Sequence, residues 1–153
     1  MINFIPAKEE TGYEVRIKRH EGLRLKPYRC SAGKLTIGYG RNLDEIGISE
    51  DEAEYLLQKD LYRVVSELTR SIPIFNDLGF NRRYVLIDMC FNLGLPKLLG
   101  FKKMWKALYA EDYQLAAKEM LDSRWARQVG DRAVRLADAM LTDLWPDENT
   151  TNQ

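Results

Sequence analysis

The chain has 153 residues, 45% of them hydrophobic and 30% charged, which fits one compact globular unit with room for two lobes. Its 23 Lys/Arg balance its 23 Asp/Glu, and a net charge of zero argues against general nucleic-acid affinity, which needs many uncompensated phosphate contacts. No stretch approaches the ~20 apolar residues of a membrane span, and residues 1–10 lack the basic segment and apolar run of a signal peptide.

The charge is unevenly spread. Residues 1–41 carry nine Lys/Arg against four Asp/Glu, residues 42–60 one against seven, and residues 91–135 nine against five. Two basic stretches suit a polyanionic partner. Solvated faces explain them equally well.

In chain order, Thr11-Gly12-Tyr13-Glu14 has the form of a capping box, and it predicts a helix from Gly12 to Glu21 that Gly22 ends. Two short strands follow, Arg24 to Cys30 and Lys34 to Tyr39, turned by Ser31-Ala32-Gly33. Gly38 and Gly40 permit a close backbone approach that a side chain would block. A third extended piece is expected over 42–48. Ser49-Glu50-Asp51-Glu52 is a second capping box. It opens a helix to about Arg70, with Ala53, Leu56, Leu57, Leu61, Val64, Val65 and Leu68 at helical spacing. At ~1.5 Å per residue that helix is about 30 Å long, enough to join two lobes. After Pro73 the pattern is helical throughout: 82–93, 102–109, 113–121, 123–129 and 132–144, with Asp131 as the N-cap of the last. The tail 146–153 is polar, and its Asn149-Thr150-Thr151 sequon carries no meaning outside a secretory setting. The fold class is therefore α+β: a small β-ribbon lobe (13–48), a connecting helix (49–71) and an all-helical lobe (72–145), read as one domain spanning 1–153.

The chemistry concentrates at one junction. Glu21 stands where the first helix gives way to the glycine-rich ribbon, facing whatever cleft the ribbon walls off. A carboxylic acid so held, with its pKa raised by partial burial, can protonate a leaving glycosidic oxygen. The plainer alternative is an exposed helix-terminal glutamate. Cys30 is either a thiolate favoured by the neighbouring Arg29 or a small half-buried hydrophobe. Thr36, taken alone, is a β-branched strand residue, and Arg132 a solvated charge. Cys90 falls on the apolar side of its helix, and two cysteines do not make a disulfide-stapled scaffold. His20 is the single histidine, so no metal-ligand spacing exists. Gly38-Tyr39-Gly40 falls far short of a phosphate-binding loop. Trp125 and Trp145 sit among apolar helical positions and read as core rather than as sugar-stacking platforms.

The stretch Glu21-Gly22-Leu23-Arg24-Leu25-Lys26, then Tyr28, Cys30 and Thr36-Ile37-Gly38, places eight residues between Glu and Cys and five between Cys and Thr. This resembles the T-even phage lysozyme and endolysin family (glycoside hydrolase family 24), whose motif is Glu, eight residues, Asp or Cys, five residues, Thr. The resemblance continues through Ser49-Glu50-Asp51-Glu52-Ala53-Glu54, Phe91-Asn92-Leu93-Gly94, Ser123-Arg124-Trp125 and Arg132-Ala133 to Arg135. It covers nearly the whole chain, from Tyr13 to Trp145.

The resemblance implies a lysozyme-like fold and a muramidase that hydrolyses the β-1,4 bond between N-acetylmuramic acid and N-acetylglucosamine in peptidoglycan. Glu21, Cys30 and Thr36 become the catalytic set, with Glu21 as general acid. Cys30 stands where many members carry Asp, and its role as base, nucleophile or water-holder stays open. Arg132 matches an arginine that pairs with the catalytic glutamate. Phe91, Asn92, Ser123 and Arg124 match cleft-lining positions. Asn92 stands for a longer Gln, which puts that contact in doubt, and Arg41 and Asn42 depart from the T-even His and Leu, which alters the sugar fit at Asn42. No cofactor and no metal are implied, and a monomer is expected. Without a signal of its own, the protein would wait in the host cytoplasm and reach the wall through a separate holin-type permeabiliser. The rivals are a lytic transglycosylase, which needs the Glu but no water-activating partner, and a catalytically silent peptidoglycan-binding module.

Overall fold

A computed structural model describes residues 12–146. Thr11 and the predicted tail beyond Pro146, with its sequon, lie outside the described residues. The chain divides into two compact units, Met1–Leu57 and Gln58–Gln153.

The first unit holds α1 (Gly12–Glu21), β1 (Arg24–Arg29), β2 (Leu35–Gly38), β3 (Arg41–Asn42) and the opening turns of α2 (Glu50–Ser71). Gly22, at φ +68°, carries the chain out of α1, and its amide closes the helix on the Lys18 carbonyl at 3.0 Å. The three strands form an antiparallel sheet in sequence order. Tyr28 faces Thr36 and Thr36 faces Asn42 across it. Directly opposed residues point to the same side of a sheet, so these three share one face.

The third strand is far shorter than 42–48. The Asn42 carboxamide oxygen accepts the Glu45 amide at 3.1 Å, and the Asn42 carbonyl accepts Ile46 at 3.0 Å. A side-chain-closed turn of this kind competes with extended pairing and ends the strand. The Asp44 carboxylate then reaches back to the Leu35 amide at 2.8 Å. The second capping box forms as predicted: Ser49 Oγ accepts the Glu52 amide at 3.2 Å, and Glu52 Oε2 accepts the Ser49 amide at 2.8 Å.

The second unit contains the rest of α2, a 3-10 turn (Phe75–Asp77), α3 (Phe80–Leu93), α4 (Leu95–Leu99), α5 (Lys102–Tyr109), α6 (Tyr113–Leu121), α7 (Arg124–Val129) and α8 (Asp131–Thr142). The apolar core lies here, built from Val64 and Leu68 of α2, Leu86 and Met89 of α3, Met104 and Leu108 of α5, Met120 of α6, and Leu136 and Met140 of α8. Of the predicted α2 stripe only Val64 and Leu68 are buried. Ala53, Leu56 and Leu57 belong to the first unit, where the only buried described residue is Thr36.

Helix α3 begins at Phe80, earlier than the periodicity predicts, because the Asp143 carboxylate accepts the Arg82 amide at 3.0 Å. A Cβ at Gly79 would lie 1.6 Å from that carboxylate, so only glycine fits the approach. Helix α4 was hidden by Pro96, which sits in its first turn, where proline is tolerated, rather than breaking the chain. Asp131 is not an N-cap. Gly130, at φ +58°, holds that position, and Asp131 is the first helical residue, where its charge still favours the helix N-terminus.

Candidate active site

Glu21 is the last residue of α1 and is exposed, not partly buried as the sequence suggests, because α1 has no buried residue to carry it inward. Its carboxylate nevertheless has a wall. Gly40, in the turn between β2 and β3, lies so close that a Cβ built on it would sit 2.7 Å from Glu21 Oε2 and 3.1 Å from the carboxyl carbon. The neighbouring Tyr39 ring lies under Lys18 Nζ, 5.6 Å from the ring centroid, and ties the same turn to the last turn of α1.

Cys30 follows β1. Its amide donates to the Lys34 carbonyl at 3.0 Å, and its carbonyl accepts the Gly33 amide at 2.8 Å. This tight turn aims amides at the thiol. The Lys34 and Ala32 backbone amides hold its pKa below the ordinary 9.0, with the Thr36 hydroxyl and Cys30's own amide adding to them and desolvation opposing. Arg29 is not the cause, contrary to the sequence reading. Its guanidinium donates to the Gly33 carbonyl at 2.9 Å. Thr36 is 3% exposed, and its Oγ1 donates to the Lys34 carbonyl at 2.9 Å. The hydroxyl thus has one proton for two acceptors, the Lys34 carbonyl and the thiolate, and its lone pairs remain for a water. Cys30 and Cys90 are both free thiols.

Arg41 is braced within the same unit. Its guanidinium meets Glu52 Oε1 at 2.6 Å and the Gly47 carbonyl at 3.4 Å. Glu52 therefore caps α2 with one oxygen and holds β3 with the other. Among the described residues no group of three or more His, Cys, Asp or Glu is placed to hold a metal.

The second unit spreads its candidates over two places. Ser123 caps α7: its Oγ accepts the Ala126 amide at 3.0 Å and donates to the Met120 carbonyl at 2.6 Å. Ser123 and Arg124 line a cavity of about 870 Å³ together with the apolar Leu93, Phe101, Met104 and Trp125, the cations Lys97, Lys102 and Lys103, and the acids Glu119 and Asp122. Phe91 and Asn92 do not line it, but the Asn92 carboxamide oxygen accepts the Trp125 indole N–H at 3.0 Å. Phe91 is exposed. Trp125 is buried, as predicted, and Trp145 stands edge-on to Tyr84 with ring centroids 5.0 Å apart.

Arg132 lies elsewhere, beside a smaller pocket with Tyr84, Asp131 and Arg135, and its partner is Asp88. The sequence reading missed Asp88 and the three lysines. The lysines announce themselves only as the charge excess of 91–135, and nothing local marks Asp88.

Every proposed catalytic residue falls inside one family match. Residues 18–138 match the model of the phage lysozyme family. The chain belongs to that family. It is thus a lysozyme, a glycoside hydrolase of bacterial cell-wall peptidoglycan. Among individual lysozymes, it is 33% identical to an endolysin of Acyrthosiphon pisum secondary endosymbiont phage 1, over 74% of this chain and 76% of that one. It is 29% identical to the probable T4-type lysozyme 2 of Dictyostelium discoideum, over 82% of this chain and 91% of the other. A third relative, also 29% identical, is the pre-baseplate central spike protein of Enterobacteria phage T4, where 82% of this chain matches only 27% of a longer protein.

Proposed function

We propose that this lysozyme cleaves the N-acetylmuramic acid–N-acetylglucosamine β-1,4 bond through Glu21 as general acid, with a water held by Thr36 and deprotonated by Cys30. Glu21 gives its proton to the glycosidic oxygen as the C1–O bond breaks. The water adds to C1, its proton passes to the Cys30 thiolate, and both groups return to their starting states by exchange with solvent. The observation that carries this reading is the turn around Cys30, whose amides and Thr36 hydroxyl favour the thiolate. A transglycosylase has no use for such a group. The chemistry needs only protein side chains and water, and the route is inverting.

Arg132 acts toward Glu21 on this reading, and Phe91, Asn92, Ser123, Arg124 and Asn42 toward the glycan. The cavity lined by Lys97, Lys102, Lys103 and Arg124 against Glu119 and Asp122 has an excess of cations that suits the anionic peptide stems of the wall. The chain works as one lysozyme-like domain and a monomer, and reaches the wall through a separate membrane permeabiliser. Mass analysis of the muropeptides released from purified wall tests the reaction type. Reducing N-acetylmuramic acid ends are expected; anhydromuramic ends would replace hydrolysis by transglycosylation. Proton NMR of fresh product reads the anomer and so the stereochemistry.

A further inference from the structure

Two glycines flank Tyr39 in the same left-handed conformation, Gly38 at the end of β2 and Gly40 in the turn to β3, and only Gly40 touches the acid. Gly38 has φ +68° and Gly40 φ +80°, so both positions resist an L side chain on backbone grounds. Their surroundings differ. A Cβ at Gly38 would meet nothing within 4 Å, whereas a Cβ at Gly40 would meet Glu21 Oε2 at 2.7 Å, Cδ at 3.1 Å and Cγ at 3.4 Å. The atoms in the way belong to the far end of one flexible side chain, not to backbone. A side chain at 40 would be accommodated by rotation of the Glu21 carboxyl, with the chain path unchanged.

We propose that Gly40 is a positioning residue for the general acid: its bare Cα is the wall against which the Glu21 carboxylate rests, and any side chain there moves the acid off the bond it must protonate while leaving the fold intact. The inference rests on Glu21 being the acid. It goes further by making a turn residue, 19 positions away in sequence, part of the acid's geometry. Displacement of a catalytic group by about 1 Å costs on the order of 10²-fold in rate. Because an acid acts in the transition state, the loss belongs in kcat and not in KM.

The pair of glycines supplies the control. Gly40→Ala and Gly38→Ala in the full chain take similar backbone strain, but only the first collides with Glu21. Thermal unfolding and steady-state cleavage of soluble, uncrosslinked peptidoglycan strands are measured for both, for Glu21→Gln and for Glu21→Gln/Gly40→Ala. Both glycine variants should fold, with midpoints within a few degrees of each other. Gly40→Ala should lose on the order of 10²-fold in kcat with KM little changed, and Gly38→Ala should stay within about threefold of the parent. Adding Gly40→Ala to Glu21→Gln should cost no further rate, since the residue acts through the acid. Equal losses for the two glycines, a Gly40→Ala rate near the parent, a further loss in the double variant, or a Gly40→Ala that fails to fold while Gly38→Ala folds would each overturn the proposal. A fully active Glu21→Gln would instead remove the acid assignment beneath it.

Discussion

Arg132 sets Nε and Nη2 on the same oxygen of Asp88, each at 2.9 Å, and Tyr84 donates to the other Asp88 oxygen at 3.3 Å. The Asp88 side chain is only 12% exposed, so this carboxylate already neutralises much of the Arg132 charge. The cation that the family resemblance assigns to a catalytic glutamate is held by an acid of its own unit.

Together with the proposed role of Arg132, this pairing predicts opposite pH effects from two variants. If Arg132 acts toward Glu21, as proposed, Arg132→Ala moves the alkaline limb of activity to higher pH. Asp88→Asn keeps an acceptor for Arg132 but frees its charge, and on the same reading moves that limb to lower pH. The other charges beside Arg132 are Asp131 and Arg135, which neither variant alters. Arg132→Ala should also cost ~1–2 kcal/mol, because it leaves Asp88 without its cation at a site the arginine only half shields. Rate–pH profiles and denaturant unfolding check both. Shifts in the same direction, or none, would contradict this account.

Cys30 should be the reactive thiol. Burial pushes the Cys90 pKa up, with the Glu67 charge adding and Arg63 opposing, and the residue is 2% exposed. Iodoacetamide should label Cys30 first, with a rate that rises through a pKa below 9.0. Labelling should abolish most lysis. If the thiolate accepts the water's proton, activity falls as pH drops through the Cys30 pKa, and the lowered value extends activity toward neutrality. Cys30→Ala should be strongly impaired. Cys30→Asp should keep substantial activity and move the acidic limb lower, since a carboxyl ionises near ~4. Cys90→Ala should stay active and lose ~1–2 kcal/mol of stability for a small core truncation. Full activity after complete Cys30 alkylation would reduce the motif to Glu21 and Thr36.

Asn92 should act through Trp125. Asn92→Ala leaves the buried indole N–H without its 3.0 Å acceptor, at a cost of ~1–3 kcal/mol. The loosened ring lines the cavity, so KM for peptidoglycan strands should rise while kcat holds. Tryptophan fluorescence and unfolding midpoints report the first effect, and steady-state kinetics the second. Unchanged stability together with unchanged KM would show that the bond matters to neither.

Local patterning made most of this fold legible. The C-terminal end of α1 and the capping box of α2 follow from residues within one turn of each boundary, Gly22 at the first and Ser49 with Glu52 at the second. What escaped depends on distant partners. The start of α3 is set by Asp143, 61 positions from the amide it caps. Strand β3 was overestimated because the Asn42–Glu45 bond that bends the chain is invisible to periodicity. In the site, the types and spacing of Glu21, Cys30 and Thr36 carry the proposed chemistry. The source of the thiol's lowered pKa did not follow from sequence neighbours, because the amides of Ala32 and Lys34 reach the sulfur only once the turn forms. Asp88 is likewise an unremarked helical acid until α8 brings Arg132 to it.

The central claim is that Glu21 donates the proton that breaks the glycosidic bond. Glu21→Gln is nearly isosteric and leaves Gly40 its neighbour, so the folded state should persist. General acid catalysis contributes ~10²–10⁴ in rate. Turbidity clearing of outer-membrane-stripped cells by the purified, folded Gln variant should therefore fall at least a hundredfold below the parent. A folded variant that keeps more than a tenth of the parental rate would contradict the account.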